Sequence, residues 1–253
     1  LFHAAAHKHV PTQESHPREA VFNNVLGTRN LVDLAVEAEV ERFVLVSTDK
    51  AVRPTSVMGA TKRVAELFVE SMNGKQVTRF VAVRFGNVFS SSGSAIPTFQ
   101  EQIARGGPVT VTHPDVRRYF MSIPEAAQLI LQAGAMGEGG EIFILDMGEP
   151  IRIVDMARDL IRLHGLDPDK DIAIEFTGLR PGEKLHEELI TSGEGIVPTG
   201  HEKIMVLKGK TLDAAALLAK IETLLAISRR GDGEAIRKKL RDIVPEYNPL
   251  PHP

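Results

Sequence analysis

The chain contains no cysteine. Disulfides, thiolate metal sites and cysteine nucleophiles are therefore excluded, a composition that fits a reducing compartment. No apolar run approaches the roughly 18 residues of a membrane span, and no signal peptide is visible. Charge of one sign is also missing. Thirty Lys and Arg stand against 33 Asp and Glu, a net charge of −3, so nothing attracts nucleic acid or an anionic membrane. There is no Gly-x-Gly-x-x-Gly fingerprint, although dinucleotide-binding α/β folds carry one after their first strand. The chain starts at Leu1 rather than an initiator Met. Leu1–Ala6 reads as a strand already in progress, so the chain is expected to be the C-terminal part of a longer protein.

At 253 residues, 25% charged and 43% hydrophobic, the composition is that of a globular protein with one large domain or two small ones. Leu1–Ala6, Phe43–Val46 and Arg79–Arg84 are short β-rich apolar runs. Uninterrupted runs of this kind suit strands buried on both faces of a parallel sheet. Between them lie a polar loop from His7 to Pro17, a helix from about Arg18 to Ala38, and a helix over Met58–Met72. In the first helix Val21, Val25, Thr28, Val32 and Ala35 repeat at steps of four and three, one buried stripe. Alternating strands and helices predict an α/β fold with a doubly wound parallel sheet.

After Gly86 the elements become smaller. Helices are expected near Ile96–Ala104, Pro124–Ala133, Ile151–His164, Glu183–Ile190 and Leu212–Arg229. Strands are expected at Val109–Val111, Glu141–Leu145 and Ile172–Phe176. Tyr247–Pro253, with three prolines, reads as a frayed tail. These units suit a smaller C-terminal lobe interleaved with the last sheet elements.

The stretch richest in chemistry is Ser47-Thr48-Asp49-Lys50, followed by Met58-Gly59-Ala60-Thr61-Lys62. It follows the strand Phe43–Val46, and catalytic residues of open α/β sheets cluster at such strand ends. The pattern resembles the extended short-chain dehydrogenase/reductase family, in particular its nucleotide-sugar 4,6-dehydratases. That family carries Ser-Thr-Asp-Lys or Ser-Thr-Asp-Glu after a strand, then Tyr-x-x-x-Lys on the next helix. Here Met58 stands where the tyrosine belongs. Neither Tyr119 nor Tyr247 has a lysine four residues on. Met at this position resembles the large CapD-like polysaccharide-biosynthesis dehydratases that act on UDP-N-acetylglucosamine.

Several further segments carry the same resemblance. They are His3-Ala4-Ala5-Ala6, Asn24-Val25-Leu26-Gly27-Thr28, Arg84-Phe85-Gly86-Asn87-Val88, Arg117-Arg118-Tyr119-Phe120-Met121 and Gly178-Leu179-Arg180-Pro181-Gly182-Glu183-Lys184. Together they cover nearly the whole chain in the family's order.

The resemblance implies a Rossmann-type sheet whose first three β-α units, about 30 residues each, are missing from this chain. Residues 1–90 would be the C-terminal half of an NAD-binding domain, and residues 91–253 a substrate lobe. It implies NAD as cofactor, with NADP left open, acting as an internal hydride carrier. Oxidising C4 of the sugar acidifies the C5 proton, the C6 hydroxyl leaves as water, and hydride returns to C6. Asp49 would be the acid and Lys50 the base, with Thr48 holding the O4 region. Those roles require Asp49 to be raised and Lys50 to be lowered in pKa, as desolvation would do.

Lys62 would bind the nicotinamide ribose, and His3, Ala4, Ala5, Ala6 and Ser47 would border the cofactor. Met58 cannot shuttle a proton, so the base for C4 oxidation is unassigned. Lys8, Asn24 and Asn87 would face the substrate. Arg180, with Arg118, would bind its diphosphate, for which a planar guanidinium is suited. Glu183 would take the ribose hydroxyls.

His3, His7, His9 and His16 match no zinc spacing and read as loop and packing residues, so no metal is expected. The implied partner is a UDP-sugar. The intact protein would be a homo-oligomer anchored on the cytoplasmic face of the bacterial inner membrane, with no membrane contact by this segment. A 4-epimerase and a non-catalytic nucleotide-sugar-binding module are the rival readings; Asp49-Lys50 argues against the first. Alone, the chain is expected to bind NAD poorly, to be inactive, and to pair through the edge at Phe2–Ala5.

Overall fold

The computed structural model describes residues 1–74, 77–190, 195–207 and 213–249. Strand β1 (Phe2–His3) lies at the edge of the main sheet and is shorter than the apolar run Leu1–Ala6 predicts. His7 to Pro17 is not the expected loop. Helix α1 (Val10–Ser15) and helix α2 (Pro17–Val21) both form there, each with proline in its first turn. Proline forfeits no hydrogen bond at that position, so each one starts a helix instead of breaking it. A π-helical turn, Phe22–Leu26, joins α2 to α3 (Gly27–Glu37). Val21, Val25, Thr28, Val32 and Ala35 are all buried along this run, as their spacing predicts.

Strand β2 (Arg42–Val46) follows, then a single 3₁₀ turn over Asp49–Ala51 and helix α4 (Val57–Ser71). Strand β3 (Arg79–Arg84) pairs in parallel with β2, Phe43 opposite Phe80. Beyond it come β4 (Asn87–Val88), α5 (Ala95–Ala104), β5 (Val109–Val111), β6 (Arg117–Arg118) and β7 (Phe120–Met121). Helix α6 (Ile123–Met136) is capped by Ser122 and has proline in its first turn. Strand β8 (Ile142–Leu145), β9 (Ile151–Arg152), α7 (Ile153–Leu163) and β10 (Ile174–Phe176) continue the chain. Ile151 is thus not helical. It pairs with Arg118 across β9 and β6, and the helix starts two residues later.

The segment 183–190, expected as a helix, is extended and irregular. Its backbone is committed elsewhere: Arg117 N–H and the Arg118 guanidinium both donate to Leu185 O, and Arg118 also donates to Lys184 O. The sequence reading also missed β11 (Ile196–Pro198) and β12 (Ile204–Leu207), which pair antiparallel. Helix α8 (Ala214–Arg230) matches the expected last helix, whose predicted start at Leu212 lies outside the described residues. It ends at Gly231 with φ 77°, the left-handed cap that glycine favours. Helix α9 (Gly233–Ile243) was not foreseen. Nor is Tyr247 frayed: it is 1% exposed, while residues 250–253 of the expected tail lie outside the described residues.

The main sheet runs β1-β2-β3-β8-β12-β11, parallel from β1 through β8 and antiparallel beyond. Its pleat sorts side chains by parity. Phe43, Leu45, Phe80, Ala82 and Ile144 face α3, α4, α8 and α9, whereas Val44, Val81, Val83, Phe143 and Leu145 face α6. A third apolar cluster gathers Phe99, Ile103, Val109, Val154, Ala157 and Ile161 beneath α5 and α7. At the edge, Phe2 is half exposed.

Candidate active site

The site begins where β2 runs out. Ser47 N–H donates to Val83 O at 2.7 Å and Asp49 N–H to Phe85 O at 2.9 Å, so pairing with the neighbouring strand continues past the strand end. This fixes Asp49 and delivers Thr48 and Lys50 to the rim. The turn is held by Thr48, whose hydroxyl accepts from Lys50 N–H at 3.4 Å and donates to Asp49 Oδ1 at 2.9 Å.

Two glycines allow the packing. A Cβ on Gly86 would stand 3.1 Å from Asp49 Oδ2, and one on Gly59 would stand 2.2 Å from Lys50 O. Helix α4 therefore seats its first turn directly on the Lys50 backbone. That turn is capped by Ser56, whose hydroxyl accepts from Gly59 N–H.

A cavity of about 550 Å³ opens here, bordered by Ala4, Ala6, Lys8, Ser47, Thr48, Lys50, Met58, Lys62, Asn87, Arg118, Arg180 and Glu183. That volume is in the range of small-molecule sites. Asp49, His3, Ala5 and Asn24 are not among its lining residues. Asp49 lies fully buried beneath Lys50. His3 and Ala5 alternate with Ala4 and Ala6 and lie off the cavity.

His3 Nε2 lies 2.9 Å from the Thr28 hydroxyl. Burial, helped by the charge of Lys62, lowers its pKa to about 4. Asn24 takes both the N–H and the C=O of His7, at 2.8 and 3.1 Å, and donates to the Thr61 hydroxyl at 3.0 Å. Its substrate-facing role is thereby corrected: it pins the loop that carries Lys8. The π-helical turn that holds Asn24 is the local irregularity that aims it there.

Ser47 borders the cavity, but its hydroxyl is engaged away from it. Its hydroxyl donates to Glu66 Oε1 at 2.6 Å, behind the cavity wall. Glu66 is fully buried and also accepts from Arg84 (3.2 and 2.8 Å) and Arg63 (2.9 Å). Burial alone would raise its pKa, but the guanidiniums of Arg84 and Arg63 and the Ser47 hydroxyl win, holding it at about 2. No spacing marks this cluster, because Ser47, Glu66 and Arg84 come from three separate segments of the chain.

Lys50 donates to Asp49 Oδ1 at 2.9 Å and to Asn87 Oδ1 at 3.1 Å, and lies 3.7 Å from Glu187 Oε1. Burial pulls its pKa down, yet Asp49 and Glu187 outweigh that, and the net shift is upward. The lowered Lys50 of the sequence reading is therefore wrong for this arrangement, because the two carboxylates, rather than desolvation, dominate. Glu187, which the sequence reading missed, also borders the cavity. It is a buried carboxyl raised by desolvation and by Asp49, against the pull of Lys50, Arg118 and Lys184. It comes from the irregular segment after Glu183, and no spacing marks it.

Lys62 donates to Val46 O at 2.7 Å. Burial lowers it to about 8, with Glu66 opposing. Lys8 is lowered by partial burial and by Lys50. Also on the cavity lining, Glu183 is gripped by Arg118 at 3.1 Å and Arg180 at 3.2 Å and accepts from Thr112 at 3.2 Å. Desolvation would raise it, but these arginines, Arg180 first, keep it low. Two guanidiniums and one carboxylate so form one polar cluster on the cavity lining.

A parallel α/β sheet with a polar cavity at its strand ends defines a Rossmann-type protein of the nucleotide-binding kind. The chain belongs to the polysaccharide biosynthesis protein family, which it matches over residues 1–209. Within the extended short-chain dehydrogenase/reductase group it is a CapD-like member. It is 59% identical over 205 residues to the capsular polysaccharide biosynthesis protein CapD of Staphylococcus aureus, covering 81% of this chain and 34% of that protein. It is 38% identical over 195 residues to the UDP-glucose 4-epimerase of Rickettsia canadensis, covering 76% and 56%. The crystal structure of Pen from Bacillus thuringiensis superposes with a TM-score of 0.75 at 37% identity, over 82% of this chain and 66% of that one. The chain thus spans about a third of the length of its CapD relative.

Proposed function

We propose that this chain carries the reacting centre of an NAD-dependent UDP-N-acetylglucosamine 4,6-dehydratase that makes a UDP-4-keto-6-deoxy sugar for bacterial surface polysaccharide. The observation that carries the reading is the Lys50 amine at the cavity wall. It is bonded to a buried carboxylate, Asp49, and lies on the wall that also holds Met58. An acid–base pair is what elimination across C5 and C6 requires and what simple epimerisation at C4 does not.

The residues present fit the nicotinamide end of NAD. Ala4 and Ala6 leave the strand-end mouth clear of bulk, and Lys62 has N–H donors beyond the one given to Val46. When bound, NAD supplies temporary storage of the C4 hydride. Lys50 takes the C5 proton. Asp49 is the acid for O6 by way of Thr48: once protonated it donates to the Thr48 hydroxyl, reversing the bond that Thr48 now gives to Asp49 Oδ1, and Thr48 passes its own proton to O6. Arg118 and Arg180 take the diphosphate, Glu183 the ribose and Asn87 the sugar. Met58 shields the C4 region without exchanging a proton. Among the described residues no helix is long and apolar enough to cross a membrane. We assign this segment to the cytoplasmic face, in a homo-oligomer.

The test is to incubate the protein that carries this chain with UDP-N-acetylglucosamine and NAD in deuterated water and follow the sugar by NMR. A 4-keto-6-deoxy product with deuterium at C5 is expected. The relative named as a 4-epimerase favours the second reading, epimerisation at C4. A C4-inverted sugar that keeps its C5 proton and C6 hydroxyl would establish that one instead.

A further inference from the structure

The cage around Lys50 conflicts with its use as a base. An ammonium bonded to Asp49 Oδ1 and Asn87 Oδ1, with Glu187 Oε1 at 3.7 Å, has no lone pair to offer a C5 proton. Of the two carboxyl groups beside it, only Glu187 borders the cavity. Its side chain is 3% exposed, and Oε2 is buried with no hydrogen-bond partner among the described residues. A desolvated carboxylate with an unpartnered oxygen is stabilised by taking up a proton. Its charged neighbours divide: Asp49 favours that uptake and the cations oppose it, so burial tips the balance. From β6 comes Arg118, 4.0 Å from Oε1, and from the β2 end come Asp49 and Lys50. From its own segment comes Lys184, whose ammonium is given to Val52 O at 2.8 Å. On the Lys50 side, Lys8 adds a further positive charge.

We propose that Glu187 is the proton partner of Lys50, taking one proton from its ammonium so that a neutral amine faces the sugar, and returning it once Lys50 has passed the proton it took from C5 back to the sugar. An N–H bond breaks at Nζ and an O–H bond forms at Oε1. The electron pair stays on Nζ, and the net charge of the pair is unchanged. A side-chain movement of about 1 Å closes the gap to hydrogen-bonding distance. Glu187 is thus a positioning residue acting through Lys50. This deepens the dehydratase reading and rests on it for the C5 step, whereas the coupling of the two side chains does not.

The test separates the two. In the isotopically labelled chain, Lys50 Cε is assigned by its loss in Lys50→Arg and Glu187 Cδ by its loss in Glu187→Gln, and both are titrated by NMR. Both signals should show inflections at shared pH values, as coupled sites do. In Glu187→Gln the Lys50 curve should lose one inflection and its midpoint should move down. In Glu187→Asp, which keeps the carboxyl, the second inflection should persist. A Lys50 curve identical in the unsubstituted chain and in Glu187→Gln overturns the proposal. If the Gln variant does not fold, Lys50 Cε and Glu187 Cδ curves that share no inflection in the unsubstituted chain do so. In the active protein, Glu187→Gln should slow C5 deuterium exchange by roughly 10²-fold with UDP-sugar binding retained. Coupled titration without any C5 exchange in the unsubstituted protein would overturn the dehydratase reading and leave the pairing standing.

Discussion

Gly59 and Lys50 are in backbone contact: a Cβ placed on Gly59 would lie 2.2 Å from the Lys50 carbonyl oxygen and 3.1 Å from its carbon. No rotamer change relieves such a clash, since both partners are main chain within ordered elements. Gly59→Ala must push helix α4 away from the Asp49–Ala51 turn. Overpacking of this kind costs about 1–3 kcal/mol, read as a fall in Tm of about 2–4 °C per kcal/mol in a chain this size. The shift should also separate Lys50 from Lys62, so turnover should fall further than stability explains. An unchanged Tm would mean that the helix seats differently.

Glu66 makes acid stability testable. Its folded pKa of about 2 lies below the ordinary 4.5. The stabilisation it provides is therefore full above about 4.5 and is lost as pH falls towards 2. The size is on the order of 3 kcal/mol. Denaturant unfolding between pH 5 and pH 2 should show this loss, and Glu66→Gln should flatten it. Glu66→Ala leaves Arg84 buried without its carboxylate and should cost about 3–5 kcal/mol at neutral pH. A variant with the same acid profile as the parent would place the stabilisation elsewhere.

How much of this was legible follows from where each contact comes from. β2 and β3 were readable because an uninterrupted run such as Phe43-Val44-Leu45-Val46 fits a strand buried on both faces. Thr48, Lys50, Met58 and Lys62 were gathered by the sequence itself, within sixteen residues of one strand end and one helix start. Glu187 was not, since it reaches Lys50 across 137 residues from a segment whose backbone is held by Arg117 and Arg118 instead of by a helix. The same holds for Ser47 and Asn24. Their residue types suggested a ligand, but tertiary partners, Glu66 and the His7 backbone, already occupy them. Pro11 and Pro17 misled because proline breaks a helix interior but suits its first turn.

Tyr247 should be improvable. It is 1% exposed, and its hydroxyl is buried with no hydrogen-bond partner among the described residues. Burial, with the nearby charge of Glu14, raises its pKa, so it stays protonated. Removing an unsatisfied buried hydroxyl while keeping the ring should relieve about 1 kcal/mol. Tyr247→Phe is therefore expected to raise Tm by a few degrees without affecting the cavity. A loss of stability would reveal a partner for that oxygen.

Lys62 sets stability against function. The residue is 5% exposed, and its pKa is lowered from the ordinary 10.5 to about 8, chiefly by burial. Between those values the unfolded chain binds more protons than the folded one, so stability rises with pH from about 8 to about 10.5. At pH 7 the folded protein holds a buried cation at a cost that an apolar side chain would avoid. Lys62→Met should therefore hold or raise Tm at pH 7, despite losing the 2.7 Å bond to Val46 O. That advantage should vanish above about pH 10, where the parent lysine is neutral in both states. If Lys62 grips the nicotinamide ribose, the same variant should lose NAD binding at every pH. A variant that is destabilised at pH 7 yet binds NAD normally would make Lys62 a structural strut for β2, with no part in the chemistry.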